Sequence, residues 1–208
     1  RTFSDCTALE NLTLPYAGLK DNCIDSENAI STYLFNQYVP KGTYSAGRPG
    51  GSSGYGIPET LTSITITGGK IIPKNAFYGM KSLKTINIPN TITNIGDYAF
   101  YGCTLMETGV LPSKLTSVGN DAFNGCNFAK FGALTIPNTV TLIGNNAFAN
   151  CNGLTSVTVP GSVKTIGQYA FSGCTSLKTA VIKTGVESIG VRTFSDCTAL
   201  ENLTLPYA

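Results

Sequence analysis

Residues 147–174 read AFANCNGLTSVTVPGSVKTIGQYAFSGC, and the segment ends as it begins, on Ala-Phe-x-x-Cys. Between the two copies lies an apolar run, Leu154, Val157 and Val159. Pro160 follows, then a second apolar pair, Val163 and Ile166, closed by Gly167. Alternation at the end of the first run marks a β-strand. Pro stops the strand because it has no N–H for the ladder, and Gly permits a tight corner. Ala-Phe-x-x-Cys, apolar at i and i+3, suits one short helical or 3₁₀ turn.

The same order recurs along the chain. Phe77, Phe100, Phe123, Phe148, Phe171 and Phe194 stand 23, 23, 25, 23 and 23 residues apart. Ala precedes each of them except the last, where Thr193 stands. Three residues beyond each comes Met80, Cys103, Cys126, Cys151, Cys174 or Cys197. One such unit has too little chain to bury its own apolar face. Stacked units bury it between them, and the Phe side chains then form a single column in the core.

Units such as AFSGCTSLKTAVIKTGVESIGVRTF (residues 170–194) resemble the BspA-like leucine-rich repeat. The resemblance covers residues 1–15 and 58–208. It implies an α/β, β-rich class: a right-handed solenoid with a parallel sheet on its concave face and short helical or 3₁₀ turns outside. It also implies a bacterial cell-surface or secreted protein, extracellular in location. Its work would be non-enzymatic adhesion or binding, with a protein or glycan, host or matrix components included, as partner. A structural spacer that holds another domain away from the cell is the alternative. One solenoid domain would then span residues 1–208, with a partial repeat at 1–15, an insert at 16–57 and contiguous repeats over 58–208.

Composition narrows the chemistry. Charged residues make up only 12% of the chain and the net charge is +2, with no basic cluster, so no nucleic-acid partner is expected. No apolar run approaches the ~20 residues of a membrane-spanning helix. There is no His, which removes the commonest general base and metal ligand. GGSSG at 50–54 matches the nucleophile-elbow pattern, but a Gly- and Pro-rich stretch precedes it and no His could take the proton, so it reads as a loop. GGK at 68–70 lacks the first Gly and the Ser or Thr of a phosphate loop and reads as a turn. Asp21, Asp25 and Glu27 do not follow a calcium-loop pattern. Neither cofactor nor metal is expected.

Six of the seven Cys, Cys6 and the five named above, share one repeat position, and Met80 fills that slot in the remaining copy. The slot therefore takes a small hydrophobe, and these thiols are expected buried and reduced. The outer side of a curved solenoid is expected to splay too far for disulfides. Cys23 lies outside the ladder and is the thiol expected to be exposed.

What remains for function is the outward row of each strand. Thr65, Thr85, Asn87, Thr135, Ser156 and Thr158 belong to it, and together they make a hydroxyl- and amide-rich concave face. The insert adds Tyr38, Tyr44 and Tyr55 as candidate contacts. Within it a helix is expected over residues 27–35 and a loop over 41–56. A small bulge is expected at 127–133, where the longer repeat carries its extra residues.

Residues 1–17 and 192–208 are identical. An exact copy points to a super-repeat of about 191 residues in the parent, with Ala208 followed by a segment like residues 18–55. On that reading neither end is a natural cap. Phe3, Leu9 and Leu12 at one end, and Phe194, Leu200 and Leu203 at the other, are expected half covered, favouring weak head-to-tail self-association.

Overall fold

Most repeats supply one longer and one two-residue strand, and these pair in parallel with their counterparts in neighbouring repeats. The computed structural model describes residues 6–17, 43–46, 55–107, 111–128 and 132–206. The longer strands form two sheets. In the first, β4 (Ser63–Ile66) lies between β1 (Asn11–Leu14) and β6 (Thr85–Asn87). In the second, β9 (Gly132–Thr135), β11 (Leu154–Val159), β13 (Thr179–Ile182) and β15 (Asn202–Thr204) follow one another. The short strands build a third, six-stranded sheet. Its order is β5 (Ile71–Ile72), β7 (Asn94–Ile95), β8 (Ser117–Val118), β10 (Leu142–Ile143), β12 (Thr165–Ile166) and β14 (Ser188–Ile189).

Period-two alternation sorts the side chains of the longer strands. Ile64, Ile66, Ile86, Leu134, Val157, Val159 and Ala180 point inward and are buried. The repeat Pro residues each open a turn. The N–H of Val163 donates to Pro160 O at 3.1 Å, and Ile92, Leu115 and Val140 do the same toward Pro89, Pro112 and Pro137.

The Phe residues form the expected column. Rings from Phe77 to Phe194 stack with centroids 5.1, 5.0, 5.2, 5.4 and 5.6 Å apart and planes within 10° of parallel. Burying each ring is worth about 1.5–3 kcal/mol against leaving it in water. Phe128, which the repeat pattern does not pick out, joins the core as well. Its backbone is left-handed at φ 50°, its N–H donates to Met106 O at 2.8 Å, and its ring tilts 50° against Phe123 at 5.8 Å. The longer repeat thus turns an extra aromatic inward. Residues 129–131 of the expected bulge lie outside the described residues, and a register irregularity is seen one repeat on, between Leu154 and Ser156 of β11.

The turn at Ala-Phe-x-x-Cys is present, but as single turns, and no helix occurs among the described residues. Ala76, Tyr78 and Met80 donate to carbonyls three residues back, each at 3.2 Å. The intervening N–H groups of Asn75, Phe77 and Gly79 instead reach Asp97, Ala99 and Tyr101 of the next repeat at 2.9, 2.7 and 2.7 Å. Left-handed residues on either side of Phe77, Asn75 at φ 58° and Gly79 at φ 67°, flip alternate peptides outward and so prevent a helix from propagating.

That ladder corrects two readings. The outer side is not splayed, because it is hydrogen-bonded from repeat to repeat. The glycine closing each repeat is required by close approach and not by a corner. A Cβ on Gly96, Gly119, Gly144, Gly167 or Gly190 would lie 2.4–2.6 Å from a backbone nitrogen of the preceding repeat.

The thiols are free, and they are held by burial and by bonds of their own. Sγ of Cys103, Cys126, Cys151 and Cys174 donates to Phe77, Phe100, Phe123 and Phe148 O at 3.1–3.3 Å, and all four are buried. Burial raises the pKa of Cys126 and Cys151, while the bond to Cys151 does most to raise that of Cys174. Cys6 is exposed and Cys197 only half-buried, contrary to a ladder hidden throughout. Cys23 lies outside the described residues. A thiol reagent added to folded protein is expected to modify Cys6 fast and Cys197 slowly, while Cys103, Cys126, Cys151 and Cys174 wait for denaturant. Mass spectrometry of the digest reads this out, and fast labelling at any of those four sites would contradict the packing.

The expected loop over residues 41–56 includes a strand pair. β2 (Thr43–Ala46) and β3 (Tyr55–Pro58) run antiparallel, with Tyr44 opposite Ile57 and Ala46 opposite Tyr55. Gly and Ser do not favour strands, but Thr, Tyr and Ile at the paired positions do. The expected helix over 27–35 lies outside the described residues, as do Tyr38 and Phe3. Of the other end residues, Leu9, Phe194 and Leu200 are half-buried and Leu203 is 45% exposed. Leu12, by contrast, is only 8% exposed, because β4 covers it.

Candidate binding surface

The outward residues of the longer strands fall into registered rows. In the first sheet Thr13, Thr65 and Asn87 are neighbours along one row, and Asn11, Ser63 and Thr85 along the next. In the second sheet one row runs Thr135, Thr158, Val181, Thr204, and the other Ala133, Ser156, Thr179, Asn202. Among the described residues the six candidates therefore fall on two sheets. Thr65, Thr85 and Asn87 sit together, and Thr135, Ser156 and Thr158 sit together. Among the described residues no longer strand lies between β6 and β9.

Part of the polarity is satisfied within the row, since Asn87 Nδ2 donates to Thr65 Oγ1 at 3.1 Å. Asn87 and Thr135 are exposed, while Thr65, Thr85, Ser156 and Thr158 are half-buried by their row neighbours. These side chains offer hydroxyl and amide groups at the repeat spacing, with no charge among the six. Tyr44 and Tyr55 belong to the antiparallel pair β2 and β3 and not to either row.

The turn side carries a second organised surface, which the pattern of strand residues could not reveal. Tyr78 and Tyr101 stack with centroids 5.0 Å apart and planes 5° from parallel. Tyr98 tilts against both, at 6.5 and 5.8 Å. Burial pushes the Tyr78 phenol up, while the charge of Asp121 does most to raise that of Tyr98, so both stay protonated at neutral pH. Asp97 Oδ1 accepts from the N–H of Asn120 at 2.7 Å. Asn120 and Asn145 repeat this cap on the next turns, each at 2.8 Å. Among the described residues no group of three or more Cys, Asp and Glu is placed to hold a metal ion. No described helix is long and apolar enough to cross a membrane.

With this geometry in hand, comparison decides the family. The sequence profile of the BspA-type leucine-rich repeat region matches six copies, over residues 57–130 and 126–208. The chain belongs to the BspA-type leucine-rich repeat family. It is similar to a crystal structure of a leucine-rich repeat protein from Bacteroides ovatus, at 35% identity and a TM-score of 0.61. That match covers 71% of this chain and 38% of the other. It is also similar to the leucine-rich repeat protein of T. pallidum, at 30% identity and a TM-score of 0.61, covering 68% of this chain and 65% of that one. The chain thus spans less than two thirds of the length of either relative. Among curated proteins no sequence matches. The glycine, proline and Phe positions described above are the structural skeleton of this chain's repeats, and the outward strand residues and turn-side tyrosines are the side chains that skeleton presents.

Proposed function

We propose that this BspA-type solenoid is a non-enzymatic binding module of a bacterial cell-surface or secreted protein, holding a protein or glycan partner on the outward rows of its longer strands. The observation that carries this is the registered placement of Thr65, Asn87, Thr135, Ser156 and Thr158 on hydrogen-bonded parallel strands. Solenoids present such faces over a long span, and a stacked interior keeps the groups in fixed positions, so little ordering entropy is lost on binding. Adhesion follows from this reading when the partner is a host or matrix component. A stiff spacer is the second reading, favoured by the unbroken Phe column from Phe77 to Phe194.

A glycan array and a panel of immobilised matrix proteins, probed with the whole chain, separate the two. Saturable binding to one component is expected. Asn87→Lys and Thr158→Lys, both outward and without a core role, should each weaken it by roughly tenfold while leaving the melting temperature unchanged. An absence of saturable binding across both collections would favour the spacer.

A further inference from the structure

The residue two before each repeat Phe is left-handed in all six turns: Asn75, Tyr98, Asp121, Asn146, Tyr169 and Arg192 have φ of 58, 56, 54, 52, 56 and 56°. Asn and Asp adopt this region at small cost, but a large side chain there is strained. Strain that persists points to a use for the side chain. At Tyr169 the use is visible. Arg192, one repeat on, places its guanidinium 5.8 Å from the Tyr169 ring centroid and donates from Nη1 to the phenol oxygen at 3.0 Å. At Tyr98 the corresponding neighbour is Asp121, so the ring has an acid where Tyr169 has a cation.

The surroundings reinforce the difference. Tyr78, Tyr98 and Tyr101 are half-buried and pool their electron-rich rings at one place on the turn side. Asp97 and Asp121 flank them. Asp97 Oδ1 caps Asn120 N–H at 2.7 Å and Asp121 Oδ1 accepts from Asn124 Nδ2 at 2.8 Å, but among the described residues neither carboxylate has a cation to balance its charge. Lys74 shares a shallow groove with Asp97 but is not within ion-pair distance of it. Ring quadrupoles and carboxylates whose charge no cation balances attract the same group, a cation, and a planar guanidinium serves both by stacking on a ring and donating to the carboxylate oxygens left open.

We propose that Tyr78, Tyr98 and Tyr101, with Asp97 and Asp121, form a docking site for an arginine side chain of a protein partner, supplied from outside as Arg192 is supplied to Tyr169 from within. The site is separate from the strand rows and does not depend on their role.

The test uses the whole chain and a fluorescent octapeptide of alternating Gly and Arg, followed by anisotropy at low salt. Saturable binding is expected, with the matching Gly-Lys peptide weaker and a Gly-Glu peptide not bound. Tyr98→Asn and Asp121→Arg should each weaken binding by roughly tenfold. Both should fold, since Asn146 and Arg192 already occupy this backbone position, and Asp121→Arg would fill the site with the chain's own guanidinium. Tyr98→Asn should melt no lower than the parent, because it relieves the strained backbone, which a purely structural Tyr98 would not allow. Absence of binding by the parent, equal affinity for the Lys peptide, or unchanged affinity in both variants would overturn the proposal.

Discussion

Phe148→Ala is expected to destabilise the chain by about 3–5 kcal/mol, the cost of emptying a fully enclosed aromatic site. Phe148 is 0% exposed and lies between Phe123 at 5.2 Å and Phe171 at 5.4 Å, nearly parallel to both. Its neighbours cannot collapse into the gap, because their backbones are tied to the next repeats through Phe148 N–H to Ala170 O and Phe123 N–H to Ala147 O, each at 2.8 Å. For a chain of this size that cost lowers the melting temperature by roughly 10 °C or more. Phe148→Leu keeps most of the volume and should cost much less. Hydrogen exchange should show protection lost first in the turns around Phe123 and Phe171, since repeats contact only their neighbours. A melting temperature unchanged in Phe148→Ala would refute the column.

Gly167→Ala is the second large effect. Its Cβ would lie 2.5 Å from both Asn145 N and Gly144 C, so the obstruction is backbone and cannot rotate away. The cost should reach about 3 kcal/mol, the upper end for inserting a methyl group into packed structure. Gly102→Ala is the control. There the backbone is left-handed at φ 69° but the nearest atom is Gly79 Cα at 3.9 Å, so the penalty is conformational alone, about 1 kcal/mol. Denaturant melts of the two variants decide between the explanations. If Gly102→Ala proved the more damaging, close approach would not be what the closing glycines serve.

The repeat Phe, the inward strand residues and the Pro stops were legible because each is a local property repeated six times. A spacing of 23 residues has one economical solution, in which like stacks on like, and the parallel registers of all three sheets follow from it. The cysteine slot was legible for the same reason, since Met80 in one copy shows that volume and apolarity are what the site selects. Of the candidate contacts, the strand rows could be listed from alternation alone, and the structure then placed them in register.

Other features lay beyond the pattern. That the closing glycines face backbone nitrogens, and that alternate N–H groups leave the turn for the next repeat, depend on how near two turns approach. No residue type announces that distance. Phe128 entered the core because the one longer repeat had slack to turn it inward, a consequence of stacking on fixed neighbours. Thr65, Thr85 and Asn87 fall on one sheet and Thr135, Ser156 and Thr158 on another, because among the described residues no longer strand links the two. The tyrosine cluster brings together residues 20 or more positions apart only because one repeat lies directly over the next. The sequence by itself therefore determined the stacking unit, its core and its strand faces, since these are set by local period and by burial. Tertiary structure alone decided which side chains from different turns meet, because that depends on the distance between turns, which the assembled solenoid sets.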